Sequence, residues 1–215
     1  MTIEDIVRFK INYRNLFPAG KICSWEDMGR FRPSQYLIMH ALVHRTQVLL
    51  DSNVRLPEHT FYVDNIFAAQ PLPLVKRIYY MDCNLYHYYI GRADQSVNEK
   101  VLMSRIDQQI RVTRLVSNCV DLQKVGQECP KLADYLCRNI SIMMAISSIH
   151  LLLFRSREGE EKHRQLWQDM KAGDRRLYYR LKYRTVSGLT CLPGRLGSEL
   201  TIGGYRLAKK IYRFQ

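Results

Sequence analysis

Ile140-Ser141-Ile142-Met143-Met144-Ala145-Ile146-Ser147-Ser148-Ile149-His150-Leu151-Leu152-Leu153-Phe154 is the most apolar run in the chain. Its 15 residues, four of them the polar Ser141, Ser147, Ser148 and His150, fall short of the roughly 18 to 20 apolar residues that span a bilayer. The run therefore reads as the buried helix of a folded core. Helical patterns surround it. Val101, Ile106, Ile110, Val112, Leu115 and Val116 fit one amphipathic helix from about Asn98 to Lys124. Cys129-Pro130 opens the next, Leu132 to Phe154, because proline suits a first helical turn. Gly159 to Met170 and Asp174 to Leu189 follow, and Gly203-Gly204 precedes a short last helix to Arg213.

Before Ser96 the pattern is different. Arg8 to Tyr13 alternates polar residues with Phe9, Ile11 and Tyr13, the period of an exposed strand. Pro18-Ala19-Gly20 turns the chain, and Ser24 with Asp27 three residues later caps a short helix through Met28 that Gly29 ends. Tyr36 to Arg45 is nearly all apolar and reads as a buried strand, followed by a helix capped by Thr46 and running to Ser52. After a turn at Leu56-Pro57, Phe61 to Leu72 reads as a helix stopped by Pro71 and Pro73. Lys76 to Met81 and Leu85 to Ile90 form a hairpin or neighbouring strands around Asp82-Cys83-Asn84. Strands first and helices after predict an α/β fold: a sheet region over residues 1–97 and an all-helical C-terminal extension over 98–215.

The chain has 215 residues, enough for a sizeable core, and a net charge of +13. Of that excess, +9 falls in Arg155 to Gln215, which carries 15 basic and 6 acidic residues. Anionic partners are expected, whether nucleic acid, an anionic membrane surface or a phosphorylated substrate. Six cysteines at irregular spacing, with no CxxC pair, indicate reduced thiols and a cytoplasmic setting. Glu4 and Asp5 stand where a signal peptide needs bases, so secretion by that route is not expected.

Two segments concentrate polar residues where elements end: His59-Thr60-Phe61-Tyr62-Val63-Asp64-Asn65, and Tyr86-His87-Tyr88-Tyr89-Ile90-Gly91-Arg92-Ala93-Asp94-Gln95-Ser96-Val97-Asn98. From the residues alone, Asp64 is equally an ordinary acid at a helix start, and Arg92 with Asp94 an ordinary surface ion pair. The cluster Tyr79, Tyr80, Tyr86, Tyr88 and Tyr89 reads first as a packed sheet face. His40 and His44, four apart, would suit a metal on a helix. On the expected strand they share a face with no carboxylate pair beside them, and core histidines are the simpler reading.

These segments, with Pro71-Leu72-Pro73 to Tyr80, resemble the later half of bacterial family 2 glycosyltransferases of the GT-A fold, over about Tyr13 to Asn98. Such enzymes carry an acid at a helix start, often in an "ED" motif, then a strand of "YY" character and a Tyr/Arg/Ser loop. The resemblance implies transfer of a sugar, with inversion, from a nucleotide-sugar donor to a hydroxyl of a glycan or glycolipid acceptor. It makes Asp64 the catalytic base, since a hydroxyl attacks well only once a positioned carboxylate takes its proton. Val63 stands where the preceding acid is usual. His59, Asn65, His40 and Tyr89 would attend the substrate, and Arg92, Gln95 and Ser96 the diphosphate, where a guanidinium offsets the leaving group's charge.

No two aspartates are separated by one residue and no Gly-rich phosphate loop occurs, so the donor-binding half with its Asp-x-Asp motif is not matched. The expectation is an acceptor half with a helical tail, inactive alone. The divalent metal, Mg or Mn, is expected only in a complete enzyme, and no metal ligand is assigned in this chain. The tail Arg175 to Arg184 and Lys209 to Phe214 interleaves bases with Tyr and Leu, which suits peripheral contact with an anionic membrane at the inner face of the cell. The alternative is a non-enzymatic basic helical module binding nucleic acid or offering an interaction surface. No zinc finger or RNP motif supports the nucleic-acid reading.

Overall fold

The computed structural model describes residues 12–33, 35–84, 86–87 and 99–212. It is mostly helical, at 64 %, with a small two-stranded antiparallel sheet. In order come β1 (Ile22–Cys23), α1 (Thr46–Asp51), α2 (Asp64–Ala69), β2 (Ile78–Tyr79), α3 (Glu99–Ser104), α4 (Ile106–Asn118), α5 (Leu122–Glu128), α6 (Pro130–Leu153), α7 (Arg157–Gly173), α8 (Arg175–Arg184) and α9 (Gly194–Tyr212). Short 3₁₀ turns lie at Trp25–Asp27, Met39–Ala41, Leu72–Leu74 and Val186–Cys191.

The centre of the fold is α6, packed by α3, α4, α5, α7, α8, α9 and the Val186–Cys191 turn. It is long and apolar enough to cross a membrane by length and composition, but 67 % of its most apolar window is buried inside this protein. Leu132, Leu136, Met144 and Leu151 are each no more than 2 % exposed. The serines within the run find partners on the helices they meet. Ser147 Oγ lies 3.1 Å from Thr113 Oγ1 of α4, Trp167 Nε1 of α7 donates to Ser148 Oγ at 3.2 Å, and Ser141 Oγ reaches Thr185 Oγ1 at 2.8 Å. A buried hydroxyl without such a partner costs about 1–3 kcal/mol. Polar residues in an apolar run thus fix which neighbour sits where.

The N-terminal half of α6 also holds the non-helical region. Arg138 donates to the carbonyls of Arg32, Pro33 and Gln35 at 2.8–2.9 Å, and Lys131 to those of Glu26 and Met28. The Tyr135 ring stacks on Phe31 with centroids 4.5 Å apart, while its hydroxyl accepts from the Leu37 amide. These contacts satisfy backbone groups of residues 26–33 and 35–37 that lie in no strand among the described residues, as a sheet ladder would.

Several expectations hold. Ser24 and Asp27 form a reciprocal capping box around the Trp25–Asp27 turn. Gly29 follows because a Cβ there would sit 3.2 Å from the Asn15 carbonyl carbon and closer to its oxygen. Pro130 opens α6. Others are corrected. Residues 36–45 are not a buried strand; the segment is extended around a 3₁₀ turn, with Val43 90 % exposed. Thr46 begins α1 without capping it, since no side chain bonds to that helix start. β2 pairs with β1, Ile22 opposite Tyr79 and Cys23 opposite Ile78. The strand at Arg8 to Tyr13 and the second strand of the expected hairpin fall largely outside the described residues. One helix over 98–124 becomes three. Arg105 leaves helical geometry at φ −114°, and the Asp121 carboxylate starts α5 by accepting from the Gln123 and Lys124 amides at 3.0 Å. Asp174 to Leu189 divides into α8 and a 3₁₀ turn, and Gly203-Gly204 lie inside α9 instead of before it.

His163 of α7 sits against the packed interior with Nε2 lacking a hydrogen-bond partner, and burial lowers its pKa to about 4. Its unfolded value is near 6.5, so above that pH the side chain is neutral in both states and its titration contributes nothing. As pH falls toward 4 the unfolded chain takes up the proton first, and stability drops by an amount on the order of 2–3 kcal/mol. His163→Leu removes both the titration and the unpaired nitrogen. Its urea midpoint is expected to fall less between pH 7 and pH 5 than that of the parent.

Candidate functional site

The segment ahead of α2 is held in an unusual backbone conformation. His59 has φ +49° and Tyr62 φ +68°, in the left-handed region that bulky residues avoid. Such geometry costs of order 1–3 kcal/mol and persists only when surrounding contacts impose it. Here α4 supplies those contacts. Gln108 accepts from the Phe61 amide at 2.8 Å, Arg111 donates to Thr60 Oγ1 at 3.3 Å, and the Arg105 guanidinium lies 3.5 Å from the Phe61 ring centroid. Asn65 closes the turn from the other side, its backbone and side-chain nitrogens both donating to the Tyr62 carbonyl at 3.1 and 3.0 Å.

The strained turn delivers Asp64 as the first residue of α2, with its side chain exposed. The backbone of α2 packs on α4 and on the Met39–Ala41 turn. Protein atoms crowd the carboxyl enough to raise its pKa above the ordinary aspartate value. The amides of Asp64 and Asn65 and the nearby His40 partly offset that rise. Asn65 Nδ2 also donates to Asp64 Oδ1 at 3.4 Å. Two tyrosines feel the carboxylate: Tyr36 and Tyr62 both have raised pKa values, with desolvation the leading cause and Asp64 adding to it. His40 stacks on Tyr86, ring centroids 4.4 Å apart. One acid is thus gathered with an amide, an imidazole and two phenols.

Of the residues marked by sequence, Asp64, Asn65 and His40 come together. His40 is exposed on its 3₁₀ turn, correcting the expectation of a strand-borne core histidine. His44 is half-buried, edge-on to Phe67 at 5.3 Å, with Nε2 unpartnered and its pKa lowered by burial. His59 lies in the turn but makes no hydrogen bond or ring contact among the described residues. Tyr89, Arg92, Gln95 and Ser96 lie outside the described residues. Tyr36, Arg105, Gln108 and Arg111 were not marked. They reach the turn from more than 25 residues away, and no local pattern announces such contacts.

No family model matches the chain, and no curated protein or solved structure matches it either. The site rests on its own geometry.

A hollow of about 460 Å³ between α4 and α7 includes Asp107, Arg111, Arg114 and Lys162 and does not include Asp64. Lys162 is paired there with Asp107 and Glu158, and Arg114 with Asp169. Its charge is largely spent internally. Among the described residues no three His, Cys, Asp or Glu side chains converge to hold a metal ion.

Proposed function

We propose that this chain is the acceptor-side part of a family 2 glycosyltransferase, with Asp64 as the base. The observation that carries the reading is an exposed carboxylate with a raised pKa, presented by a strained turn that α4 holds in place. Strain of this kind is retained where a side chain must be aimed. A carboxylate whose pKa is raised is a stronger base in its ionised form. Tyr36 and Tyr86, 43 % and 54 % exposed, offer aromatic surface against which a sugar ring can lie.

In the step, an acceptor hydroxyl gives its proton to Asp64 as its oxygen attacks the anomeric carbon. The bond from that carbon to the phosphate oxygen breaks, the nucleoside diphosphate departs with the electron pair, and the anomeric configuration inverts. Asn65 and His40 hold the carboxylate ionised and oriented. The nucleotide-sugar is bound by a donor half outside this chain, and Tyr89, Arg92, Gln95 and Ser96 serve the acceptor and the departing diphosphate.

The test is in the cell that carries the gene, where acceptor, donor and any companion chain are present. Deleting the gene is expected to shorten one surface glycan or lipid-linked oligosaccharide by a sugar, read by mass spectrometry. An unchanged glycan profile would overturn the reading.

A further inference from the structure

Helix α9 turns its leucines outward. Leu196, Leu200 and Leu207 are 83 %, 69 % and 60 % exposed, whereas Ile202 on another face is 1 % exposed. At 3.6 residues per turn these leucines fall within about 40° of one another around the axis, a single stripe along the helix. Gly203 and Gly204 interrupt it without roughness, each facing open space where a Cβ would stand. The preceding Val186–Cys191 turn, which packs against α9, also leaves Val186 and Leu189 61 % and 62 % exposed. Soluble helices place such a stripe inward, and α6 does so within this same chain.

Charge identifies the occupant. Arg195 and Arg206, both exposed, lie along one edge of the stripe. Glu199 on that edge is engaged by Arg155 at 2.9 Å. From Arg175 to Lys210 the chain carries nine Lys and Arg residues against that one Glu. A second copy docking through this face would bring like charges together. Nucleic acid would satisfy the cations and leave the leucines in water. A bilayer with anionic headgroups satisfies both.

We propose that α9 lies in the plane of an anionic membrane surface, with Leu196, Leu200 and Leu207 entering the acyl boundary while Arg195 and Arg206 meet headgroup phosphates. The cations draw the protein to the surface and the leucines retain it. This inference stands apart from the sugar-transfer reading, since it uses none of the residues around Asp64.

The experiment is co-sedimentation of the full chain with phosphatidylcholine vesicles, with and without phosphatidylglycerol. Binding is expected to be at least about tenfold tighter with the anionic lipid and to weaken as salt is raised. The triple variant Leu196→Gln, Leu200→Gln, Leu207→Gln changes only exposed side chains. It is expected to keep the parent's circular dichroism and melting midpoint and to lose vesicle affinity by about tenfold or more. The proposal would be overturned by no vesicle binding by the parent, by equal binding of parent and variant, or by a dimer in solution that the variant abolishes. Binding to duplex DNA or RNA in place of vesicles would do so as well.

Discussion

Asp64→Asn is expected to reduce sugar transfer by about 10² to 10⁴-fold, the share that a positioned general base contributes. The amide is isosteric with the carboxylate and can still take part in the hydrogen bonding around Asn65 and the first turn of α2. The fold should therefore persist, with melting midpoint and circular dichroism unchanged. What disappears is the acceptor for the hydroxyl proton. Asp64→Glu keeps the charge but moves it by one methylene, and a partial loss between parent and Asn is expected. Transfer is to be read in membranes or extracts of the cell that carries the gene, the variant replacing the parent. A substitution at Asp107, a carboxylate of the α4–α7 hollow, should leave transfer at the parental level.

Gly188→Ala is expected to produce the largest loss of stability. Gly188 lies in the 3₁₀ turn that seats Thr185 and Ser187 against Ser141 of α6. A Cβ there would stand 2.7 Å from the Lys182 carbonyl carbon and closer still to its oxygen. The obstacle is backbone at the end of α8, not the tip of a flexible side chain. Relief requires moving the turn off α8 or off α6. Ser187 and Thr190, 0 % and 4 % exposed, would then lose hydrogen bonds inside the core. Overpacking with unpaired hydroxyls is expected to cost about 3 kcal/mol, a fall of roughly 6–10 °C in melting midpoint for a chain of this size. Gly203→Ala is the informative contrast. Nothing stands within 4 Å of a Cβ at that helical position, and the change should be neutral or stabilising by up to about 1 kcal/mol.

What could be read from sequence was local. The Ser24–Asp27 box, the start of α6 at Pro130 and the burial of Ile140, Met143, Met144, Leu151 and Leu152 each depend on residues a few positions apart, and each is formed as the pattern indicates. The acid at position 64 is legible for the same reason, because a helix start favours it. Non-local features were not legible. Residues 36–45 are as apolar as a buried strand, yet among the described residues no strand lies beside them. The α6 side chain of Tyr135 binds the Leu37 amide in place of a ladder. β2 found its partner 55 residues earlier, at Ile22–Cys23. Gly203-Gly204 read as a break, but a helix tolerates two glycines at a modest cost when tertiary contacts on its other face hold it. The turn at Tyr62 escaped notice because its geometry is imposed from α4, across more than 40 residues of chain.

Whether the carboxylate at position 64 accepts the acceptor's proton is measured most directly by the pH dependence of transfer between about pH 4 and 8. Because its surroundings raise the Asp64 pKa, transfer should fall as pH is lowered, with a midpoint above the ordinary aspartate value near 3.8. That limb should be missing from the residual activity of Asp64→Asn. A variant that transfers sugar at the parental rate, or that shows the same acidic limb, would contradict this assignment of the base.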